Sequence, residues 1–279
     1  MKRLVTIQDI SCFGRCSTTV ALPIISALGI ETVTLPTAIL STHTGEFKNY
    51  SFLPLTSQMH KIINHWKEEN ISFDAIYVGY IGTVEQIDTV CEFIDYFKGE
   101  NTVVFVDPAM ADNKELYQGL KTEYVKAIKR LCKKADIIAP NIYEAMLLCD
   151  EECKKEHTYE EAVNMLKPLS LMCDKIIITG IHKDDTIITL GYDKKTDIIT
   201  EKNNSKIEGM YYGTGDIFSS VFIGAYMNGA VFSECISKAV EFVEESIKNT
   251  VAESEKYWYG INFEECLDSL TAYIKKNQQ

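Results

Sequence analysis

The chain has 279 residues, 46% of them hydrophobic and 24% charged, with a formal net charge of -12. That composition reads as a soluble globular protein of one large α/β domain or two smaller ones. An acidic chain is a poor partner for nucleic acid or an anionic membrane surface, and no stretch approaches membrane-spanning length, so neither partner is expected.

Residues 4–7 read as a buried first strand that closes at Gln8-Asp9-Ile10-Ser11-Cys12-Phe13-Gly14, a polar loop. Residues 18–28 carry helical apolar spacing and stop at Gly29, with Pro23 inside as a kink or a late start. Residues 30–35 read as a second strand, closed by Pro36, which makes the opening a β-α-β unit. Residues 37–52, rich in Thr and Ser around His43-Thr44-Gly45, read as short strands and loop forming a small flap. Helix 55–70 and strand 74–78 follow, the strand ending in Gly79-Tyr80-Ile81-Gly82. Thr83 is placed to cap a helix running to Phe97. Strand 102–106 ends at Asp107-Pro108, helix 120–134 follows, and strand 136–139 ends at Pro140-Asn141 before a helix over 143–149.

Residues 154–161 read as a charged surface stretch and 162–169 as a helix. Strand 175–179 ends in Thr179-Gly180, and 186–192 with 197–202 read as an antiparallel hairpin. A polar loop over 203–210 leads into a glycine turn, and helices are expected from Asp216, over 233–254 and over 262–276. Apolar strands alternating with amphipathic helices predict an α/β fold, a mostly parallel central sheet flanked by helices on both faces, formed by one domain over 1–279. Such sheets bind ligands outside the carboxyl ends of their strands, where Asp9, Gly79-Tyr80, Asp107 and Asn141 fall.

Nine cysteines stand in the chain with no CxxC pair, which argues against a zinc ribbon or a thioredoxin motif. Cys12 and Cys16, like Cys149 and Cys153, lie four apart and read as reduced, packed thiols. The apolar run at the start is too short for a signal, so a reducing cytosol is the expected compartment.

The stretch Gly213-Thr214-Gly215-Asp216 carries the chemistry. A tight glycine turn feeding a helix N-terminus presents free backbone N–H groups and a positive dipole end, which attract phosphate. Asp216 then stands where a substrate hydroxyl meets that phosphate. A P-loop is excluded because no Gly-Lys pair exists, and a dinucleotide fingerprint is excluded because Phe218 takes the place of its third glycine. Phosphoryl transfer needs an anion cradle, a metal held by carboxylates and an oriented nucleophile. The turn supplies the first, Asp107 and Glu144 the second with Mg²⁺, and Asp216 the third as general base.

The GTGD series at 213–216, Pro140-Asn141-x-x-Glu144, Asp107-Pro108 and the closing β-α pattern resemble the ribokinase-like family of small-molecule kinases. Within it, Ile7-Gln8-Asp9-Ile10-Ser11-x-x-Gly14, Ser41-Thr42-His43-Thr44 and Gly79-Tyr80-Ile81-Gly82 resemble pyridoxal kinases. The resemblance covers nearly the whole chain, with its motifs in the family's order. It implies ATP with Mg²⁺, a homodimer, and transfer to the 5′-hydroxymethyl group of a vitamin B6 vitamer. Carried over by position, Asp216 matches the base, and Gly213, Thr214 and Gly215 match the anion hole. Asp107, Ala139, Asn141, Glu144 and Thr179 match nucleotide or metal contacts. Asp9, Ser11, Thr44 and Gly45 match the vitamer side, with His43 and Tyr80 as neighbours. Asp9 departs from the serine often found there, which suggests a preference for pyridoxamine. The rival readings are a hydroxymethylpyrimidine kinase, a sugar or nucleoside kinase, and a vitamer-binding protein without catalysis.

Overall fold

The computed structural model describes residues 1–112, 115–117, 119–154, 157–253 and 255–277. Lys155, Glu156 and Ser254, which fall in the expected charged stretch and at an expected helix end, lie outside the described residues. The chain opens with β1 (Arg3–Ser11), α1 (Thr18–Ala27), β2 (Glu31–Leu40), β3 (Phe52–Pro54) and α2 (Thr56–Glu68). Then come β4 (Ala75–Val78), α3 (Val84–Phe97), β5 (Val103–Val106), β6 (Ala111–Asp112), β7 (Glu115–Leu116) and α4 (Thr122–Cys132). They are followed by β8 (Ile137–Ile138), α5 (Ile142–Leu148), α6 (Tyr159–Leu169), β9 (Lys175–Lys183), β10 (Thr186–Asp193) and β11 (Ile198–Ser205). The chain closes with α7 (Thr214–Met227), α8 (Phe232–Ala252) and α9 (Leu267–Asn277).

These elements divide into two compact units, one of residues 1–74 with 207–279 and one of residues 75–206. In the first unit β1 and β2 pair in parallel, Arg3 opposite Glu31 through Ile7 opposite Leu35. The register then shifts between Gln8 and Ile10, where Gln8 faces Pro36 but Ile10 faces Ile39. The extra residue in β2 makes a bulge opposite Asp9, the kind of irregularity that re-aims side chains beside functional sites. β1 therefore does not stop at Gln8-Asp9. It continues because those polar side chains are buried with partners, Gln8 Nε2 donating to Thr6 Oγ1 at 2.8 Å and Asp9 Oδ2 accepting from Ser11 Oγ at 3.0 Å. β2 likewise claims residues 37–40 of the expected flap and pairs antiparallel with β3.

α1 runs through Pro23, which forgoes the bond to the Thr19 carbonyl without ending the helix. It packs on α7 through Gly224, where a Cβ would lie 2.3 Å from Leu28 Cδ1. Asn228 Nδ2 ties the end of α7 to the Leu28 carbonyl at 3.0 Å, and Lys2 Nζ bonds the Met227 carbonyl. α9 begins later than the sequence suggests, because Asn262 is buried and its N–H donates to Thr250 Oγ1 at 2.8 Å. A short 3-10 turn at Glu264–Cys266 takes up the difference.

In the second unit the strand order is β11-β10-β9-β8-β5-β4. β4, β5, β8 and β9 are parallel, and β10 and β11 are antiparallel. β4 and β8 are buried throughout and apolar, as expected for parallel strands covered on both faces. Thr83 caps α3 as its sequence suggests, accepting from Gln86 N at 3.2 Å. The expected hairpin is present and longer than its apolar pattern, because β11 alternates with solvent and runs to Ser205. A second bulge lies in β9 at Thr179-Gly180, where Ile188 faces Ile181 but Leu190 faces Ile178, and Gly180 adopts φ 71°. β6 and β7 form a small two-stranded flap. All nine thiols are free, and no helix among the described residues is long and apolar enough to cross a membrane.

Gly224→Val is expected to lower stability by about 1–3 kcal/mol, the usual range for overpacking a filled core. Urea or thermal unfolding measures it. An unchanged midpoint would mean that α1 and α7 can separate freely at this contact.

Candidate active site

The first unit gathers the glycine turn, Asp9, Ser11, His43 and Gly45. Gly213 is the N-cap of α7 with φ 88°, a left-handed conformation that glycine adopts without strain. Glycine is required there for a second reason, since a Cβ would come 2.1 Å from the Arg15 carbonyl oxygen. Thr214, Gly215 and Asp216 occupy the first turn, where backbone N–H groups have no intrahelical carbonyl to meet. Gly215 is exposed and Asp216 half-buried. One oxygen of Asp216, Oδ2, accepts from the Ser17 N–H at 2.8 Å.

Asp9 is 4% exposed. Burial raises its carboxyl above the usual value; hydrogen bonds from Ser17 and Ser11 and the nearby His43 pull the other way. The Cys16 thiol lies against the same acids. Burial pushes its pKa well up, and Asp216 and Asp9 add to that, so the thiol stays protonated.

His43 is buried, and both its nitrogens are engaged. Nδ1 accepts from the Gly45 N–H at 3.1 Å, so Nε2 carries the proton and donates to the Tyr259 carbonyl at 2.8 Å. Burial lowers its pKa and keeps the ring neutral. Its ring sits 4.9 Å from Phe47 and 5.1 Å from Tyr212. His43 is thus a clasp between the 43–47 segment and the 257–260 segment rather than a ring with a free nitrogen. Glycines make the clasp possible. A Cβ at Gly14 or Gly45 would collide with His43 or Tyr212, and one at Gly260 with Arg15. Arg15 closes the other side, donating to Glu264 Oε1 at 2.9 Å and to the Gly260 carbonyl at 3.3 Å, with its guanidinium 4.6 Å from the Tyr257 ring centroid. Thr44 is exposed beside the clasp.

The second unit gathers Asp107, Ala139, Asn141, Glu144 and Thr179. Asn141 is the N-cap of α5 in a reciprocal capping box. Its Oδ1 accepts from Tyr143 N at 2.9 Å and Glu144 N at 3.0 Å, while Glu144 Oε2 accepts from Asn141 N at 2.8 Å. Glu144 Oε1 accepts from Met110 N at 2.9 Å and more weakly from Ala111 N at 3.4 Å. Asn141 Nδ2 adds a bond to the Ala111 carbonyl at 2.8 Å. Glu144 is only 2% exposed, and burial, then the charge of Asp107, pushes its pKa well up against the pull of those backbone donors. Asp107 is half-buried at the end of β5. Ala139 N donates to the Val106 carbonyl at 3.0 Å, and Thr179 N, at the β9 bulge, to the Pro140 carbonyl at 3.1 Å. Tyr80 is half-buried with its ring 6.2 Å from that of Tyr117.

The donor set fits a hard cation in a specific way. Asp107 and Glu144 are carboxylates that raise each other's energy, a deficit that a bound cation relieves. Mg²⁺ needs only one or two carboxylates besides water and phosphate. Glu144 is committed to backbone donors, and Asp107 and Glu144 are the residues that would hold such an ion.

Sequence reasoning missed Ser17, Arg15 and Tyr259. Ser17 has φ 55° and ψ -131°, and nothing in a serine's identity announces such a backbone. Arg15 and Tyr259 act across long sequence separations that no local pattern carries.

A glycine turn at a helix N-terminus with a carboxylate in its first turn, on an α/β fold, is an arrangement suited to meeting phosphate. The sequence profile described as phosphomethylpyrimidine kinase matches residues 21–259, and the chain belongs to that kinase family. A Bacteroides thetaiotaomicron protein, described as a candidate phosphomethylpyrimidine kinase and crystallised with pyridoxal, shares 36% identity and a TM-score of 0.92, covering 96% of this chain and 95% of that one. The pyridoxal kinase of Dictyostelium discoideum is 25% identical over 284 residues, 93% of this chain and 92% of that protein. The hydroxymethylpyrimidine/phosphomethylpyrimidine kinase of Aquifex aeolicus is 27% identical over 232 residues, 80% of this chain and 85% of that protein. The ribokinase-like resemblance read from the motifs therefore holds, and named relatives divide between these activities.

Asp9→Asn is expected to stabilise the fold near neutral pH. A raised carboxyl favours the folded state while it is protonated, and that contribution is lost as pH rises through the folded-state pKa. The gain from Asn should be largest at pH values above the raised folded-state pKa, shrink as pH falls through it, and level off below about pH 3, where Asp9 is protonated in either state. Thermal melts of both proteins across pH measure it; parallel curves would show that Asp9 carries no buried charge.

Proposed function

We propose that the protein is an ATP-dependent kinase that phosphorylates the 5′-hydroxymethyl group of pyridoxal, pyridoxamine or pyridoxine. The observation that carries this reading is the Asp216 carboxylate fixed at the first turn of α7, directly after a glycine N-cap that no side chain can replace. Asp216 accepts the proton as the hydroxymethyl oxygen attacks the γ-phosphorus. Backbone amides of Gly213, Thr214 and Gly215 take the developing charge. Ala139, Asn141 and Thr179 serve the nucleotide side. Asp107 and Glu144 would hold Mg²⁺, which would supply neutralisation of phosphate charge. Asp9, Ser11, Thr44, Gly45 and Tyr80 serve the vitamer side, with His43 as the clasp of its loop.

The buried Asp9 supports a vitamer carrying positive charge, either at the pyridine nitrogen or at a 4′-amine, and so pyridoxamine ahead of pyridoxal. The crystal form of the Bacteroides protein with pyridoxal supports the B6 reading. The family profile running through both units supports a single kinase domain. We place the enzyme, as a homodimer, in a reducing cytosol, which nine free thiols support. The second reading, a hydroxymethylpyrimidine kinase, is favoured by the family description and the Aquifex relative.

A coupled assay with ATP across pyridoxal, pyridoxamine, pyridoxine and hydroxymethylpyrimidine separates these readings. The expected outcome is turnover of the B6 vitamers with the highest kcat/KM for pyridoxamine; exclusive turnover of the pyrimidine would replace the reading. Asp216→Asn should lose on the order of 10² to 10⁴ in kcat, the usual scale for general-base removal. Near-normal turnover by that variant would remove Asp216 from the role.

A further inference from the structure

The segment 257–264 holds three loops of the first unit. Its Tyr259 carbonyl accepts from His43 Nε2 at 2.8 Å, and its Ile261 N–H donates to the Tyr212 carbonyl, next to Gly213, at 3.4 Å. Its root is fixed: Ile261, Asn262 and Phe263 are buried, and the Asn262 N–H is taken by Thr250 Oγ1, on α8, at 2.8 Å. The third hold is on Arg15. Nε donates to Glu264 Oε1 at 2.9 Å, Nη1 donates to the Gly260 carbonyl at 3.3 Å, and the guanidinium lies 4.6 Å from the Tyr257 ring centroid and 5.4 Å from that of Tyr259. The backbones touch as well, since a Cβ on Gly260 would come 3.1 Å from the Arg15 nitrogen. The Arg15 side chain is 15% exposed and that of Glu264 47%, so the rings and the Gly260 carbonyl, more than the ion pair, keep the guanidinium in place.

What Arg15 carries lies within two residues of it. Its carbonyl oxygen is packed against Gly213, and the Ser17 N–H donates to Asp216 Oδ2 at 2.8 Å. Thr19 Oγ1 braces the turn between them, donating to the Cys16 carbonyl at 2.8 Å and more weakly to that of Gly14 at 3.3 Å. Ser17 is held at φ 55°, ψ -131°, a region that a residue with a Cβ enters only under strain. Such a conformation persists only while its surroundings hold it, and the 257–264 segment is the fixed body to which this turn is fastened.

We propose that Arg15 is a positioning residue for Asp216: it ties the 14–17 turn to the 257–264 segment, and the turn so placed presents the Ser17 N–H that orients the carboxylate. This rests on the kinase reading only for the kinetic consequence. With Oδ2 fixed, the direction of the other oxygen is set, and proton transfer to a base depends on that direction. Lysine is a poor substitute, because one ammonium cannot reach both acceptors and also lie flat on a ring.

The test compares the full-length wild type with Arg15→Ala, Arg15→Lys and, as a control, Arg3→Ala, which removes an ion pair to Glu31 in the same unit. The first readout is hydrogen exchange of the Ser17 amide, followed by NMR on protein labelled with nitrogen-15. The second is steady-state kinetics on whichever member of the substrate panel is turned over. The Ser17 amide should exchange at least about tenfold faster in Arg15→Ala and by a smaller factor in Arg15→Lys, while the buried amides of β1 and α7 keep their rates. Arg3→Ala should leave the Ser17 amide unchanged. In Arg15→Ala kcat should fall about tenfold with KM within about threefold, since a misdirected base weakens the transition state and not substrate binding. Added methylguanidinium should return part of that kcat and leave the wild type unaffected. An unchanged Ser17 amide in Arg15→Ala overturns the proposal, and so does an equal acceleration of every amide, which would mark Arg15 as merely structural. A kcat that survives a freed Ser17 amide overturns it too. Should Arg15→Ala fail to fold, Arg15→Lys decides by the same readouts. If the Ser17 amide is freed but even the wild type phosphorylates nothing in the panel, the positioning stands and the kinase reading falls.

Discussion

The Ser17 N–H meets Asp216 only because several segments of the first unit close on one another at van der Waals distance. The Arg15 carbonyl lies against Gly213, Arg15 itself against Gly260, and His43 against Gly14 and Gly45. A methyl group at Gly213 would strike the Arg15 carbonyl and one at Gly260 the Arg15 Cβ, while at Gly14 and Gly45 it would displace the rings of His43 and Tyr212. Glycine here is a matter of approach distance as much as of torsion. The clasp of His43 and the paired contacts of Arg15 then lock the segments together, so the carboxylate at the head of α7 is held by loops that would otherwise move independently.

Buried acids recur in each unit, with different solutions. Asp9 Oδ2 accepts from the Ser11 hydroxyl, a donor that a single substitution removes. Glu144 is held by backbone N–H groups from Met110, Ala111 and Asn141, which cannot be mutated away. One acid is tunable and the other is structural. That difference follows the roles proposed for them, one beside a variable substrate and the other behind an invariant cation.

Much of the fold was legible from apolar periodicity. The parallel strands, the helices between them, the Thr83 cap and the hairpin fall near their expected places. Errors came where polarity was read as exposure. Gln8 and Asp9 suggested a loop, yet they are buried and β1 passes through them. Asn262 suggested the start of a helix, yet its N–H is consumed by Thr250. The bulges opposite Asp9 and at Thr179-Gly180 were invisible, because a bulge is a property of a pair of strands and not of either one.

The sequence by itself determined the α/β class and the Gly213–Asp216 turn. It also marked Asp107, Asn141 and Glu144 as residues to watch, because these depend on local spacing and residue chemistry. Tertiary structure decided what each group is free to do. It engaged both nitrogens of His43, turned Glu144 onto backbone donors, and put an unremarked serine into a glycine's conformation with its N–H on Asp216. The physical reason is that hydrogen-bond capacity is finite. Which partner takes it up is settled only when segments distant in the chain are packed together.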